Sequence, residues 1–358
     1  MKRLVVLEAS GTPAEIGTAH GSRFGPQIRD YTADRTELSR TGTSLDRSAV
    51  LAIAERMLPA HRDYDEDLYV EMLAMADAAG ITPAEAIIVG GYTDFIDTVR
   101  ALAHGTAVED TCTALITPDA LSDGSGFLAQ TWDMHASATP HVFMLDVAPL
   151  GGPRAMVFTT HGTVGQIGMN GAGIAIGINN LTMSDGAIGV TWPFVVRKVL
   201  RQTTFADGLA CILEADLAGG HNFLLLDSYG NGASIEATST VSHVSALTDE
   251  TLIHTNHCLV PSTMGVEADR PEALQVNSAN RLAHADEAVS GRTAISLSFL
   301  LDLLRDERSI CRRPEPPFDY ESSGAVVMRP ATGDLWACWG IPSDNEFEHF
   351  AVGGVPAA

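Results

Sequence analysis

No apolar run in this 358-residue chain approaches the length of a membrane span. The opening MKRLVVLEASG has two basic residues, but its apolar stretch, residues 4–7, stops at Glu8 and no cleavage-site pattern follows. Neither a spanning helix nor a signal peptide is expected, and the expected compartment is the cytoplasm. Positive charge is scarce: 22 Lys and Arg stand against 45 Asp and Glu, a net charge of −23. Such a surface repels phosphate backbones and argues against nucleic-acid partners. The five cysteines, Cys112, Cys211, Cys258, Cys311 and Cys338, are odd in number and widely spaced, with no CxxC. That argues against a disulfide framework and against a thiolate zinc site. Repeats, low-complexity tracts and long linkers are also lacking. With 45% hydrophobic and 19% charged residues, the chain can bury a sizeable core.

Two textures divide the sequence. Up to about residue 108 it reads as a short strand and then mostly helices. Thr12-Pro13-Ala14-Glu15 opens a run through residues 16–28, and Ser44-Leu45-Asp46 precedes an apolar-periodic stretch to Leu58. Residues 65–79 are rich in Leu, Met, Ala and Glu, and Thr82-Pro83-Ala84-Glu85 opens another helix with proline at its first position. From Cys112 onward short apolar runs alternate with Gly, Asn and Asp. Strands are expected over residues 113–117, 127–132, 142–147, 155–160, 173–178, 223–227, 233–237, 325–328 and 335–339. Asp123-Gly124-Ser125-Gly126 and Thr332-Gly333-Asp334 signal hairpins. Helices are expected over residues 194–201, 205–215 and 294–305. Strands and helices in these blocks imply an α+β fold with stacked sheets and helices outside.

The texture breaks at a cysteine heading a strand: EDTCTALITPDALSDGSGFLAQTWDM, residues 109–134. A thiol becomes a nucleophile when a base takes its proton. A neighbouring histidine can serve, and so can the cysteine's own α-amine if the chain is cut just before it, since an α-amine has a pKa of about 7.7–8.0. In that scheme the thiol attacks the preceding carbonyl, a thioester forms, and water releases the upstream segment. By composition alone the same cysteine also fits as buried packing. His254 and His257 in HTNH, with Asp133 and His135, form the alternative constellation of a metal-dependent hydrolase, but no HExxH frame holds them. The Gly-rich residues 162–177 lack GK[ST] and a following helix, so no phosphate loop and no nucleotide cofactor is implied; an acyl-CoA donor stays open.

DTCT at residues 110–113 followed by AQTWD at 129–133 resembles the acyl-CoA:6-aminopenicillanate (isopenicillin N) acyltransferase family of N-terminal-nucleophile (Ntn) hydrolases. GTPAEIGTAHG (11–21), GTVGQIGMNGAGIAIGINNL (162–181), NFLLLDSYG (222–230), HTNH (254–257), SICRRP (309–314) and GDLWACWGIP (333–342) match its segments in order, over nearly the whole chain. Thr111 stands where the family often has glycine, and Thr131 replaces the asparagine of Asn-Trp-Asp. The resemblance implies an αββα four-layer sandwich. It implies cleavage between Thr111 and Cys112 into a mostly helical fragment, 1–111, and a catalytic fragment, 112–358, that stay associated in one integrated domain. Cys112 is then the nucleophile, Asp133 a carboxylate near the new N-terminus, and Asn256 an oxyanion-hole donor. Ser309 and Arg312 are expected at the pocket, Arg312 as a carboxylate clamp with Arg313 an equally good surface alternative. One of Asn170, Asn179 and Asn180 is expected to line the site, with Asn170 taken as the substrate-binding candidate. The implied reaction is cleavage of a small N-acyl amide through a Cys112 thioester, with transfer to an amine as a variant and no cofactor. An unprocessed binding protein of the same fold is the other alternative, because Thr111 crowds the carbonyl to be attacked. Homo-oligomers are an open expectation.

Overall fold

A computed structural model of the chain describes residues 3–105, 112–316 and 318–353. After strand β1 (Val6–Gly11) come five helices: α1 (Pro13–Leu38), α2 (Arg47–Tyr64), α3 (Glu66–Ala79), α4 (Pro83–Gly90) and α5 (Tyr92–Ala103). Their starts follow from local chemistry. Thr12 and Glu15 form a reciprocal capping box on α1, and Thr82 and Glu85 repeat it on α4. Asp46 and Asp65 cap α2 and α3. Helix α1 runs ten residues past the expected end at residue 28, because its buried face continues through the polar Thr32, Arg35 and Thr36. Two glycines bring α1 onto α3: a Cβ on Gly17 would lie 2.0 Å from the Glu71 carbonyl, and one on Gly21 2.3 Å from that of Met75. Close packing therefore accounts for the Gly-x-x-x-Gly of GTAHG.

Fourteen strands lie among the described residues. The second half runs β2 (Cys112–Thr117), β3 (Phe127–His135), β4 (Val142–Pro149), β5 (Ala155–Thr160), β6 (Ile167–Asn170), β7 (Ile174–Leu181), α6 (Trp192–Val199), α7 (Phe205–Leu213), β8 (Gly220–Asp227), β9 (Gly232–Ala237), β10 (Ser242–Ala246), β11 (Leu252–His254), α8 (Pro261–Met264), α9 (Glu272–Val289), α10 (Leu297–Leu304), β12 (Tyr320–Arg329), β13 (Asp334–Trp339) and β14 (Phe347–Ala351). One sheet has the order β1-β4-β5-β6-β7-β8-β9-β10, the other β11-β2-β3-β12-β13-β14. All pairings are antiparallel except β1 with β4, which adds a strand from the first 111 residues to the larger sheet.

The sheets stack face to face with helices on both outer sides, the αββα sandwich expected from the sequence. Alternation along β2, β3 and β12 shows it. Leu115, Phe127, Ala129, Ala325 and Val327 pack with Ala285, Val289, Leu300 and Leu303 of α9 and α10. Their neighbours Ala114, Ile116, Leu128, Val326 and Met328 join the core between the sheets. There Trp132 meets Phe158 of β5, ring centroids 6.3 Å apart. Gln130 reaches across like an extra backbone unit: Oε1 accepts from Ile178 N at 2.8 Å and Nε2 donates to Ile178 O at 3.0 Å. Gly177 makes room for it, since a Cβ there would lie 2.4 Å from Gln130 Oε1.

Every strand expected from the sequence is present, some longer by several residues. Strands β10 and β14 were not expected, nor were α8 and α9. The buried positions of α9 are Leu274, Ser278, Arg281, Ala285 and Val289, one helical face with polar side chains at its centre. Apolar periodicity cannot detect such a face.

Candidate active site

Cys112 opens β2 opposite Trp132, so its side chain faces the space between the sheets and is almost wholly buried. Asp133 lies one residue beyond Trp132, and strand alternation turns its carboxyl to the other face, toward α9, beside Thr113 and Thr131. A β-bulge in β12 at Ser323 makes this work: Ser322 stands opposite Asp133 and Gly324 opposite Trp132. Ser322 Oγ donates to Asp133 Oδ1 at 2.6 Å. Burial pushes the Asp133 carboxyl up to about 6, against the pull of Arg281, the Ser322 hydroxyl and Arg312.

Asn256, fully buried in the loop after β11, meets the main chain of Cys112 through its side chain. Cys112 N donates to Asn256 Oδ1 at 2.7 Å, Arg281 Nη2 donates to the same oxygen at 2.8 Å, and Asn256 Nδ2 donates to Asn180 O at 3.0 Å. Two donors on one side and a carbonyl on the other fix the orientation of the amide. In this arrangement the oxygen, not the N–H expected for an oxyanion hole, faces Cys112. The loop is held from several sides. Arg270 Nη1 donates to Asn256 O at 2.5 Å, and Asn256 N donates to Ser278 Oγ at 2.9 Å. His254 Nε2 lies 2.9 Å from Glu236 Oε1. Burial raises the Glu236 carboxyl, but hydrogen bonds from His254, Thr263 and Leu259 outweigh it and hold the group below its usual range. His257 Nδ1 lies 2.8 Å from Ser278 Oγ, and burial lowers this imidazole to about 4. The two histidines thus have separate partners, and among the described residues no three His, Cys, Asp or Glu side chains converge as metal ligands.

Arg281 is the residue that sequence reasoning missed. Wholly buried on α9, it donates from Nη1 to Cys112 O and to Thr113 Oγ1, and from Nε to Asn277 Oδ1 at 2.9 Å. Asn277 also accepts from Arg312 Nη1 at 3.1 Å. Arg312 N donates to Ser322 Oγ at 2.9 Å, which links SICRRP to Asp133. Arg313 instead pairs with Glu307 and Asp344 at the surface, which separates the two arginines that the sequence left equivalent. Ser309 Oγ lies 2.5 Å from His284 Nδ1, on the rim of a cleft of about 320 Å³ that also takes in Asn277 and Arg312.

Asn170 is not brought to this site. It closes the β6–β7 turn: Oδ1 accepts from Ala172 N and Ile174 N, and Nδ2 donates to Leu200 O and Gln202 O. Six strand residues, about 20 Å, separate Ile174 from Asn180. The expected substrate-binding role is corrected to a structural one, because every hydrogen-bonding position of that amide is engaged. Asn180 is at the site through its carbonyl, and Asn179 Nδ2 donates to His254 O at 3.3 Å. Thr111 lies outside the described residues.

The acyl-coenzyme A:6-aminopenicillanic acid acyl-transferase family model matches residues 121–344. The chain belongs to this family. A curated relative, the 40 kDa form of acyl-coenzyme A:6-aminopenicillanic-acid acyltransferase from Emericella nidulans, is 22% identical over 311 residues, 86% of this chain and 84% of the relative. Among solved structures the acyltransferase-family chain is similar to a Caenorhabditis elegans N-acylethanolamine-hydrolyzing acid amidase ortholog: 14% identity, TM-score 0.42, 62% of this chain and 93% of that one. It is also similar to a mutant of conjugated bile acid hydrolase from Clostridium perfringens: 11% identity, TM-score 0.44, 69% of this chain and 98% of that one. The family match spans Asp133, Asn256, Arg281 and Arg312 and begins nine residues after Cys112.

Proposed function

We propose that this chain is a self-processing enzyme that cleaves small N-acyl amides through a thioester on Cys112, with an amine able to replace water as the final acceptor. The observation that carries this is the bond from Cys112 N to Asn256 Oδ1 at 2.7 Å. A buried side-chain oxygen is built around the one main-chain nitrogen that would become the catalytic amine. Family membership supports acyl transfer as the reaction class.

In the processing step the Cys112 thiol adds to the carbonyl of Thr111. The C–N bond breaks, leaving a thioester and a new α-amine, and water then yields the Thr111 carboxylate and restores the thiol. In turnover the neutral α-amine takes the thiol proton and Sγ adds to the substrate carbonyl. The tetrahedral intermediate expels the amine, which leaves with the proton from the α-ammonium. Water or a second amine attacks the thioester and releases the acyl group. Asp133 acts from the opposite face of the strand, on the main chain rather than on the thiol. Arg312 and Ser309 at the neighbouring cleft are the groups proposed to meet a polar substrate end.

Intact mass under denaturing conditions tests the reading. Two fragments meeting at Thr111/Cys112, absent in Cys112→Ala, with release of amine from N-acyl amides by the processed protein, are expected. One uncut mass in both proteins, and no turnover, would overturn it.

A further inference from the structure

We propose that Arg281 is a positioning residue that holds the main chain of Cys112 and keeps the α-amine there neutral, and so fit to act as a base. This rests on the processing proposed above and assigns its pH range to one side chain.

The geometry is a closed ring. Cys112 N and Arg281 Nη2 donate to the same Asn256 Oδ1, so the two nitrogens are at most about 5.5 Å apart. Nη1 of the same guanidinium binds Cys112 O. The nucleophile's residue is therefore gripped at its nitrogen and its carbonyl by groups that are themselves bonded together. A guanidinium keeps its charge throughout the working pH range. A fixed cation this close opposes a second positive charge, so the amine loses its proton below the ordinary range of about 7.7–8.0. The ammonium formed in turnover is correspondingly ready to pass its proton to the departing amine.

Among the described residues, the other charged groups around this nitrogen can be named. β3 contributes Asp133, which opposes the effect. The segment after α10 contributes Arg312, β11 contributes His254, the Asn256 loop contributes His257, and the segment between α8 and α9 contributes Arg270, on the Asn256 carbonyl. Glu236 of β9 is engaged by His254, and β7 offers the neutral Asn179 and Asn180. Of these cations, Arg281 is the one that shares a hydrogen-bond acceptor with Cys112 N.

The test uses the processed full chain and a small β-lactone as acylating probe, with mass added to the fragment starting at Cys112 recorded against pH. Arg281→Gln should move the half-maximal rate to higher pH by about one unit, with a loss at pH 6.5 about tenfold greater than at pH 9. Arg281→Lys, which keeps the charge, should stay near the wild-type midpoint. Asn277→Asp sets a carboxylate against Nε and removes no cation, and it should shift the midpoint the same way. A loss in Arg281→Gln that is equal at all pH values overturns the proposal. Should that variant fail to fold or mature, Asn277→Asp decides: an unmoved midpoint overturns the proposal. A wild type that never splits, or never takes the acyl group on Cys112, fails earlier and sinks the processing itself.

Discussion

Cys112 N and Asn256 Oδ1 are 144 residues apart in the chain and 2.7 Å apart in the structure. The nitrogen starts a strand of the smaller sheet. The oxygen sits in a loop held by Glu236 of the larger sheet, through His254 and the Leu259 N–H, and by Arg270 and Ser278. Cys112 is thus fixed where the two sheets meet.

Asn256→Ala removes the acceptor and leaves the Asn180 carbonyl and Arg281 Nη2 each short of a partner. A hydrogen bond to a charged group contributes about 1.5–3 kcal/mol. Under the mechanism proposed above, self-cleavage and amide turnover should each slow by about 10–100-fold. The half-time of fragment appearance and kcat/KM on the same preparation measure both.

Ser322→Ala takes away the donor to Asp133 Oδ1 and should raise a carboxyl already pushed up to about 6. A folded-state pKa above the unfolded value of 3.8 means that stability is fully present below 3.8 and is lost as pH rises through about 6. The lost bond from Arg312 N costs the same at every pH, so Ser322→Ala should destabilise by about 1–3 kcal/mol more at pH 8 than at pH 5, read from urea midpoints.

Gln130→Ala breaks both bonds to Ile178 and leaves a buried N–H and C=O without partners between the sheets. A loss of about 2–4 kcal/mol in unfolding free energy is expected. Gln130→Glu keeps the volume but turns a charge toward the Ile178 carbonyl, so it should not rescue stability at pH 8.

A histidine cluster lies under α1. His141 and His161 bring their Nδ1 atoms within 3.2 Å, and His20 Nε2 accepts from Gly162 N. Burial lowers His20 and His161 to about 3 and His141 to about 4. These imidazoles stay neutral in the folded protein while the unfolded chain takes up protons from pH 6.5 downward. Their contribution is present above 6.5 and is lost as pH falls toward 3–4. His161→Phe keeps the ring beside Phe24 and Phe143. It should reduce the slope of stability between pH 6 and 4 by about 1.4 kcal/mol per pH unit. An unchanged slope in acid denaturation curves would show that the cluster does not control it.

The helix caps, the proline starts, the hairpins and the buried apolar strands of the second half are local matters, and the sequence by itself determined them, whereas the exposed β10 and half-buried β14 escaped it. Thr12 with Glu15 and Thr82 with Glu85 act within one turn of chain, and the apolar strand runs follow from the burial of both faces. Cys112 was legible because it heads such a run. Only the tertiary structure decided the surroundings of its nitrogen. Ser278 and Arg281 interrupt the apolar face of α9, so the pattern that reveals a helix fails where the helix carries the site. Asn170 and Asn180 look alike as asparagines beside apolar runs. A strand length and the hydrogen bonds of a turn put one amide out of reach, while pairing with Asn256 brings the other's carbonyl in. Arg312 and Arg313 are neighbours in sequence, and only the β12 bulge, which sets Ser322 beside Asp133, shows which of them faces inward. Contacts of this kind join residues tens to hundreds of positions apart, and no local propensity encodes them.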